Sequence, residues 1–352
     1  MKNTTLFQFH YKADETMLGA AYLAYGLEKE NIPFELKVFP CYKESSVTKK
    51  AFDLNRIYSL FAKSRKIVAV GCWSDMLPHV IIALKRLKQK HPEKIIIFGG
   101  IGPSVAAEEI IKEFPFIDYI IKGCGVISLP QLIKKINNND NNLSDISGLV
   151  YRANGKIISN PYCGFYLNIP PLPAYHRLTN IEKIRHFNII TSFGCPFKCT
   201  FCSTLPVSPK NIVYRDLDEV IEEIKFIKTI AKQKDYIICL LDEAFIINRT
   251  RVIEFCNLLL SQKLSIKWAC FSRIGCVDAE LLKKMARSGC FAVSYGIESG
   301  SNKILKKIKK GFTIEQALED LFLTKKYISE VQAGFIYGFP FETPKDFLKT
   351  LI

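Results

Sequence analysis

No apolar run in this sequence reaches the length that spans a bilayer. Its opening, MKNTTLFQFHYKAD, carries no hydrophobic core of a secretory leader. Neither a membrane partner nor an exported protein is therefore expected. No internal repeat stands out, which sets aside solenoids and propellers. Acidic side chains are the scarcer charge, 34 against 49 Lys and Arg, for a formal charge of +15. Such an excess admits an anionic partner such as RNA. Lys and Asn are spread along the chain rather than gathered in a tail, though, which is the pattern of solvated helix faces. A nucleic-acid partner is not expected.

What is present fills the space left by those absences. The 352 residues are 48% hydrophobic, enough for two cores and against disorder. Twelve cysteines in a large chain rich in apolar strands fit a reducing cytoplasm better than a secreted disulfide framework. In the first half, LFQF (Leu6 to Phe9), FELKVF, KIVAVG (Lys66 to Gly71), IIIFGG (Ile95 to Gly100) and IDYIIKG (Ile117 to Gly123) read as strands. Helical patterns near 15–30, 76–89 and 106–114 lie between them, so a parallel sheet covered on both faces is expected. Gly71, Gly99, Gly100 and Gly123 sit at strand ends, where such sheets bind ligands and where turns also need glycine.

NNNDNN (Asn137 to Asn142) and the prolines Pro170, Pro171 and Pro173 bracket a polar connection. This predicts a first domain over 1–145, a linker over 146–186 and a second domain over 187–352. In the second half, strands are expected at Asn188 to Thr191, Tyr236 to Glu243, Ile266 to Arg273, Phe291 to Ser299 and Val331 to Phe339. With a helical pattern after each of the first four, and the chain stopping inside what reads as a fifth helix, they make five βα repeats. Each strand ends in polar residues, as in a parallel barrel.

The chain is organised around Asn188 to Ser203, NIITSFGCPFKCTFCS. Cys195, Cys199 and Cys202 follow a short strand with C-x3-C-x2-C spacing. Three thiolates on one tight loop form a metal site. Structural zinc usually takes four ligands, whereas an iron-sulfur cube held by three cysteines keeps one iron open for a small molecule. Two other readings stay open, a zinc loop with its fourth ligand elsewhere and three unrelated buried cysteines. Cys239, Cys256, Cys270, Cys276 and Cys290 lack compact spacing and read as small apolar core residues.

The loop resembles the signature of the radical S-adenosylmethionine (SAM) enzymes, with Phe201 as the aromatic residue before the third cysteine. GIESGSNKILKKIKKG (Gly296 to Gly311) and GFPFET (Gly338 to Thr343) are similar to that family's text as well. The resemblance implies a 4Fe-4S cluster whose open iron is chelated by the amino and carboxylate groups of SAM. It places Asp242 and Glu243 near the ligand's ammonium, Arg273 near its carboxylate, Glu298 and Ser299 near the ribose, and Tyr337, Gly338 and Phe339 against the adenine. Simpler roles exist for several: Asp242 as a helix cap, Arg273 in an ion pair, Ser299 with Ser301 at the start of a helix. Lys303, Lys306, Lys307 and Lys310 read as complements to a helix carboxyl end capped by Gly311.

The first half resembles the cobalamin-binding domain of one radical SAM subfamily, through VGCWSD (Val70 to Asp75), FGGIGPSVAAEEI (Phe98 to Ile110), IDYIIKGCG (Ile117 to Gly125) and SGLVYRANGKIISNP (Ser147 to Pro161). That would set Ser74, Gly99 and Gly100 around the corrin and its nucleotide tail. Two departures are visible. Gly123-Cys124-Gly125-Val126 replaces the usual Gly-Glu-Gly-Glu, and no Asp-x-His-x-x-Gly motif occurs, Gln8 standing where the Asp would precede His10.

The implied architecture is a Rossmann-like, flavodoxin-like α/β domain followed by a partial TIM-type (β/α) barrel ending after its fifth strand, one short of the family's six. The implied activity is reductive cleavage of SAM to a 5'-deoxyadenosyl radical, with cobalamin-dependent methylation or other C-H functionalisation of a small-molecule or peptide substrate. A flavodoxin or ferredoxin would donate the electron. Two alternatives are a tRNA methylthiotransferase, with Cys41, Cys72 and Cys124 as ligands of another cluster, and a non-catalytic cofactor-binding sensory module.

Overall fold

The computed structural model describes residues 3–12, 14–43, 46–47, 53–162, 172–179, 181–204 and 211–351. Two compact units divide between Ile184 and Arg185. In chain order the first holds β1 (Thr4–Lys12), α1 (Leu18–Lys29), β2 (Phe34–Lys43), β3 (Ser46–Val47), α2 (Leu54–Ala62), β4 (Ile67–Gly71) and α3 (Leu77–Lys90). It continues with β5 (Ile95–Gly99), α4 (Ile101–Val105), α5 (Ala107–Glu113), β6 (Tyr119–Ile121), α6 (Ser128–Asn137), β7 (Leu149–Ala153) and β8 (Lys156–Ser159).

These strands form one sheet in the order β3-β2-β1-β4-β5-β6-β7-β8. β2, β1, β4, β5 and β6 are parallel, and β3, β7 and β8 add antiparallel edges. Among the parallel strands the order is the flavodoxin-like one, with its switch point between β1 and β4. All five residues of β4 are buried, as a strand covered on both faces requires. Phe7, Val68, Val70 and Phe98 pack on one face against Phe61, Leu84 and Ile111 of α2, α3 and α5. Leu6, Ala69 and Ile97 pack on the other against Leu27 of α1 and Leu132 of α6.

The expected linker over 146–186 is corrected by this sheet. Ile184 closes the first unit, and β7 and β8 form a hairpin that extends its sheet. Asn154 and Gly155 take φ of 51° and 73° between them, the left-handed pair that two-residue hairpin turns demand. Pro170 and Pro171 lie outside the described residues; Pro173 is described.

The second unit holds β9 (His186–Ile189), β10 (Ser192–Phe193), β11 (Val213–Tyr214), α7 (Leu217–Ile230), β12 (Ile237–Leu240), α8 (Arg249–Ser261) and β13 (Lys267–Ser272). α9 (Ala279–Arg287), β14 (Cys290–Glu298), α10 (Asn302–Lys307), α11 (Ile314–Lys325), β15 (Glu330–Phe335) and α12 (Pro344–Leu351) complete it. Five parallel strands run in the order β15-β14-β13-β12-β9, so the expected βα repeats are present in register. Side chains from Asp216, Asn248 and Asp278 accept the first amides of α7, α8 and α9, and Thr313 with Gln316 forms a capping box on α11.

α10 is shorter than its lysine pattern predicts. It ends at Lys307, and Lys309 takes the left-handed conformation (φ 59°) before Gly311 does (φ 74°). Its lysines are engaged structurally: Lys303 pairs with Asp346 at 2.9 Å, Lys310 with Glu298 at 3.2 Å, and Lys307 lies over the Phe341 ring. β15 borders the sheet and pairs with β14 alone among the described residues; its Phe335 is half exposed. No helix among the described residues is long and apolar enough to cross a membrane.

Asp346, buried at the start of α12, ties that helix to the β14–α10 turn. It accepts from the Thr343 hydroxyl (2.7 Å), the Lys303 ammonium (2.9 Å) and the Ser301 hydroxyl (2.9 Å). These donors, Thr343 foremost, hold its carboxyl well below the usual aspartate range. A depressed folded-state pKa stabilises the docked form fully above the unfolded value of about 3.9, and that contribution is lost as pH falls through the folded one. Amide hydrogen exchange in α12 is therefore expected to accelerate relative to α8 as pH is lowered below about 4, and Asp346→Asn should remove that dependence.

Candidate metal centre

β9 ends at Ile189, and two residues later the chain enters β10, which pairs antiparallel with β11 through Ser192 with Tyr214 and Phe193 with Val213. This short ladder closes the base of the loop that carries the three cysteines. Gly194 opens the loop at φ 98°, a conformation that glycine adopts without strain. Cys195, Cys199 and Cys202 are free thiols; Cys199 is buried and the other two are half-buried. The Cys195 thiol is pushed up by burial first, and further by the Glu243 carboxylate and the charges of Cys199 and Cys202. A bound cation would favour the thiolate form of such a cysteine.

Two anchors hold the loop from beneath. Asp242, 1% exposed, accepts from the Thr191 amide (2.7 Å), the Thr191 hydroxyl (2.6 Å) and the Ser192 hydroxyl (2.5 Å). Burial raises the Asp242 pKa despite these donors. Arg215 and Glu223 form an ion pair at 2.7 Å with side chains 1% and 0% exposed, and Arg215 also donates to the Ile190 carbonyl at 2.7 Å. Arg251 donates to the carbonyls of Arg215 (2.6 Å) and Thr191 (3.3 Å). From above, the Gly194 amide donates to Glu243 at 2.7 Å and the Thr200 amide to the Ile308 carbonyl at 3.2 Å. Phe201 packs edge-on to Phe339, in a small core with Ile304, Leu305 and Ile308.

Among the described residues no three His, Cys, Asp or Glu side chains converge closely enough for a single metal ion. Three cysteines leave a structural zinc one ligand short of its usual four. The donor set, three soft sulfurs with no histidine, suits iron and sulfide.

The comparisons with known proteins agree with this reading. Residues 189–351 match the model of the Radical SAM superfamily. The matched stretch falls on the second unit and takes in all three loop cysteines. An uncharacterized methyltransferase of Pyrococcus horikoshii is 28% identical over 95% of this chain and 72% of its own length. The anaerobic magnesium-protoporphyrin IX monomethyl ester cyclase of Rubrivivax gelatinosus is 29% identical over 80% of the chain and 53% of its own. Among solved structures, the cobalamin-dependent SAM radical enzyme OxsB with aqua-cobalamin bound superposes with a TM-score of 0.78 at 21% identity, over 99% of this chain and 51% of that one. The chain thus spans about half the length of the cyclase and of OxsB.

Within the matched stretch the strand-end residues separate into two groups. Asp242 and Ser299 turn inward, contrary to expectation. Asp242 spends its oxygens on Thr191 and Ser192, and Ser299, fully buried, accepts from the Ser301 amide at 3.2 Å. The others stand at the strand ends. Glu243 is exposed beside the cysteine loop. Arg273 follows β13 directly, with its guanidinium Nη1 3.6 Å from Cys199 Sγ. Glu298 takes φ 73°, an uncommon conformation for a non-glycine residue and one that clusters at functional sites. Tyr337 is 75% exposed, and Gly338 (φ 92°) has open space where a Cβ would stand.

In the first unit, Ser74 is exposed in the loop after β4, and Gly99 ends β5. Gly100 takes φ 92°, and a Cβ there would meet the Cys72 backbone at 2.9 Å. Gly100 therefore serves the chain's own close approach whether or not a ligand lies above it. At the departing motif, the Cys124 amide donates to the Tyr162 hydroxyl at 3.0 Å, and burial pushes the Cys124 thiol up to about 11. Cys72 is also buried, and the Cys41 side chain lies outside the described residues. Cys256, Cys270 and Cys290 are core residues as expected, while Cys239 and Cys276 are half-buried. The Arg215–Glu223 pair had no signal in the sequence, and Lys310, read there as a complement to a helix carboxyl end, instead pairs with Glu298.

Proposed function

We propose that this chain is a radical SAM enzyme in which Cys195, Cys199 and Cys202 hold a 4Fe-4S cluster and the flavodoxin-like unit binds cobalamin. The observation that carries the reading is three free cysteines on one loop, at the carboxyl end of the first strand of a parallel βα sheet. When bound, the cluster supplies the electron that cleaves SAM to methionine and a 5'-deoxyadenosyl radical, and a corrin would offer a methyl group.

The protein's own residues hold and orient. Asp242, Arg215 and Arg251 fix the backbone at Ile190 to Ser192, so that the loop meets its ligand pre-shaped. On this reading the ammonium of SAM falls to Glu243, exposed beside the cysteine loop, as an interaction between charged groups that is stronger than a neutral one. The ribose hydroxyls fall to Glu298, whose carboxylate also pairs with Lys310, and the adenine to the exposed Tyr337 and its neighbour Gly338. Ser74, Gly99 and Gly100 lie at strand ends beside the switch point, where sheets of this order take their ligands. The methyltransferase name of one relative favours methyl transfer as the outcome; the substrate class stays a small molecule or peptide.

Protein reconstituted anaerobically with iron and sulfide, then given dithionite and SAM, is expected to release 5'-deoxyadenosine. Hydroxocobalamin added in slight excess should co-elute with the protein and be identified by its corrin absorption. Cluster-loaded protein that produces no 5'-deoxyadenosine would leave a cofactor-binding module in place of an enzyme.

A further inference from the structure

Arg273 carries a permanent positive charge, and no carboxylate among the described residues pairs with it. Its surroundings are instead aromatic and sulfur. The guanidinium lies 3.6 Å from the centroid of the Phe197 ring and 5.6 Å from that of Phe312, with Nη1 3.6 Å from Cys199 Sγ. A Cβ on Gly311 would reach Arg273 Nη2 at 3.3 Å, so a glycine there leaves the fork its room. Cys199 is also the most enclosed of the three loop cysteines.

We infer that Arg273 sets the reduction potential of the cluster by donating an N–H to the Cys199 sulfur, a role that rests on the cluster reading above. Reduction adds negative charge to the iron-sulfur core and its thiolates. A cation and N–H donor held against one sulfur stabilise the reduced form more than the oxidised one, which raises the potential. Phe197 supports the effect, its face holding the guanidinium by cation–π attraction. The guanidinium has five N–H donors, so a contact with the carboxylate of SAM is compatible. Arg273 is then a positioning residue for an electron as well as a ligand contact.

The test is a redox titration of the reconstituted chain followed by electron paramagnetic resonance, in the absence of SAM so that ligand binding does not enter. Wild type, Arg273→Gln, Arg273→Lys and Phe197→Leu are compared at matched iron and sulfide content. Arg273→Gln is expected to lower the reduced-to-oxidised ratio at a fixed potential about tenfold, a downward shift of about 59 mV for one electron. Arg273→Lys and Phe197→Leu should shift it in the same direction by less. A normal iron content with wild-type midpoints in Arg273→Gln overturns the inference and leaves the cluster reading intact. If Arg273→Gln takes up no cluster, unchanged midpoints in both other variants overturn it equally. A wild-type chain that takes up no cluster removes both.

Discussion

Cys199→Ala is expected to fold normally, hold only background iron and release no 5'-deoxyadenosine. Its thiol is the buried member of the three, with Arg273 and the Lys309 carbonyl beside it. Losing one sulfur from a small buried side chain costs about 1 kcal/mol of stability, within the ordinary range for single substitutions. The cube, by contrast, would keep only two thiolates and two irons without protein ligands. Iron and sulfide in the reconstituted variant should fall from about four of each per chain to background, while far-ultraviolet circular dichroism stays that of wild type. Full iron content in Cys199→Ala would move the cluster to other ligands and end the assignment of this loop.

The second large effect is on stability. Arg215→Met should lower the unfolding free energy of the second unit by about 3–5 kcal/mol, because it removes the Arg215 charge from beside the fully buried Glu223 carboxylate. The Ile190 carbonyl loses its donor in the same step. The matching double variant, Arg215→Met with Glu223→Leu, should recover most of that loss, since an apolar pair of similar volume often replaces a buried ion pair at little cost. Urea unfolding followed by amide exchange in β9 and β12 would report this unit separately from the first. Equal losses in the single and double variants would mean that the carbonyl contact, and not the stranded charge, dominates.

Much of this was legible because the relevant signals are local. The apolar runs of β4 and β5 and the alternation of strands with helices reflect side chains buried on both sheet faces, which a sequence displays directly. C-x3-C-x2-C is likewise local, and so is the Gly194 turn before it. Non-local features were missed or misjudged. Asn137 to Asn142 reads as the start of a linker, yet Lys135 holds Asp145 at 2.6 Å and the chain goes on into β7 and β8. Asn154-Gly155 was an available hairpin signal, hidden by the polar residues around it. The inward turn of Asp242 could not be foreseen, since its partners Thr191 and Ser192 are brought to it by the pairing of β9 with β12.

One consequence follows from the border formed by β15. A row of backbone amides and carbonyls there lies beside Phe335, with the half-exposed or exposed Leu318 and Phe322 of the neighbouring helix close in sequence. Such a rim is a template for strand addition, the arrangement by which concentrated proteins stick to copies of themselves. Where that edge stays uncovered, handling of the polypeptide is shaped by geometry as much as by oxygen, and a lysine placed at Ala333 as a gatekeeper would keep chains apart.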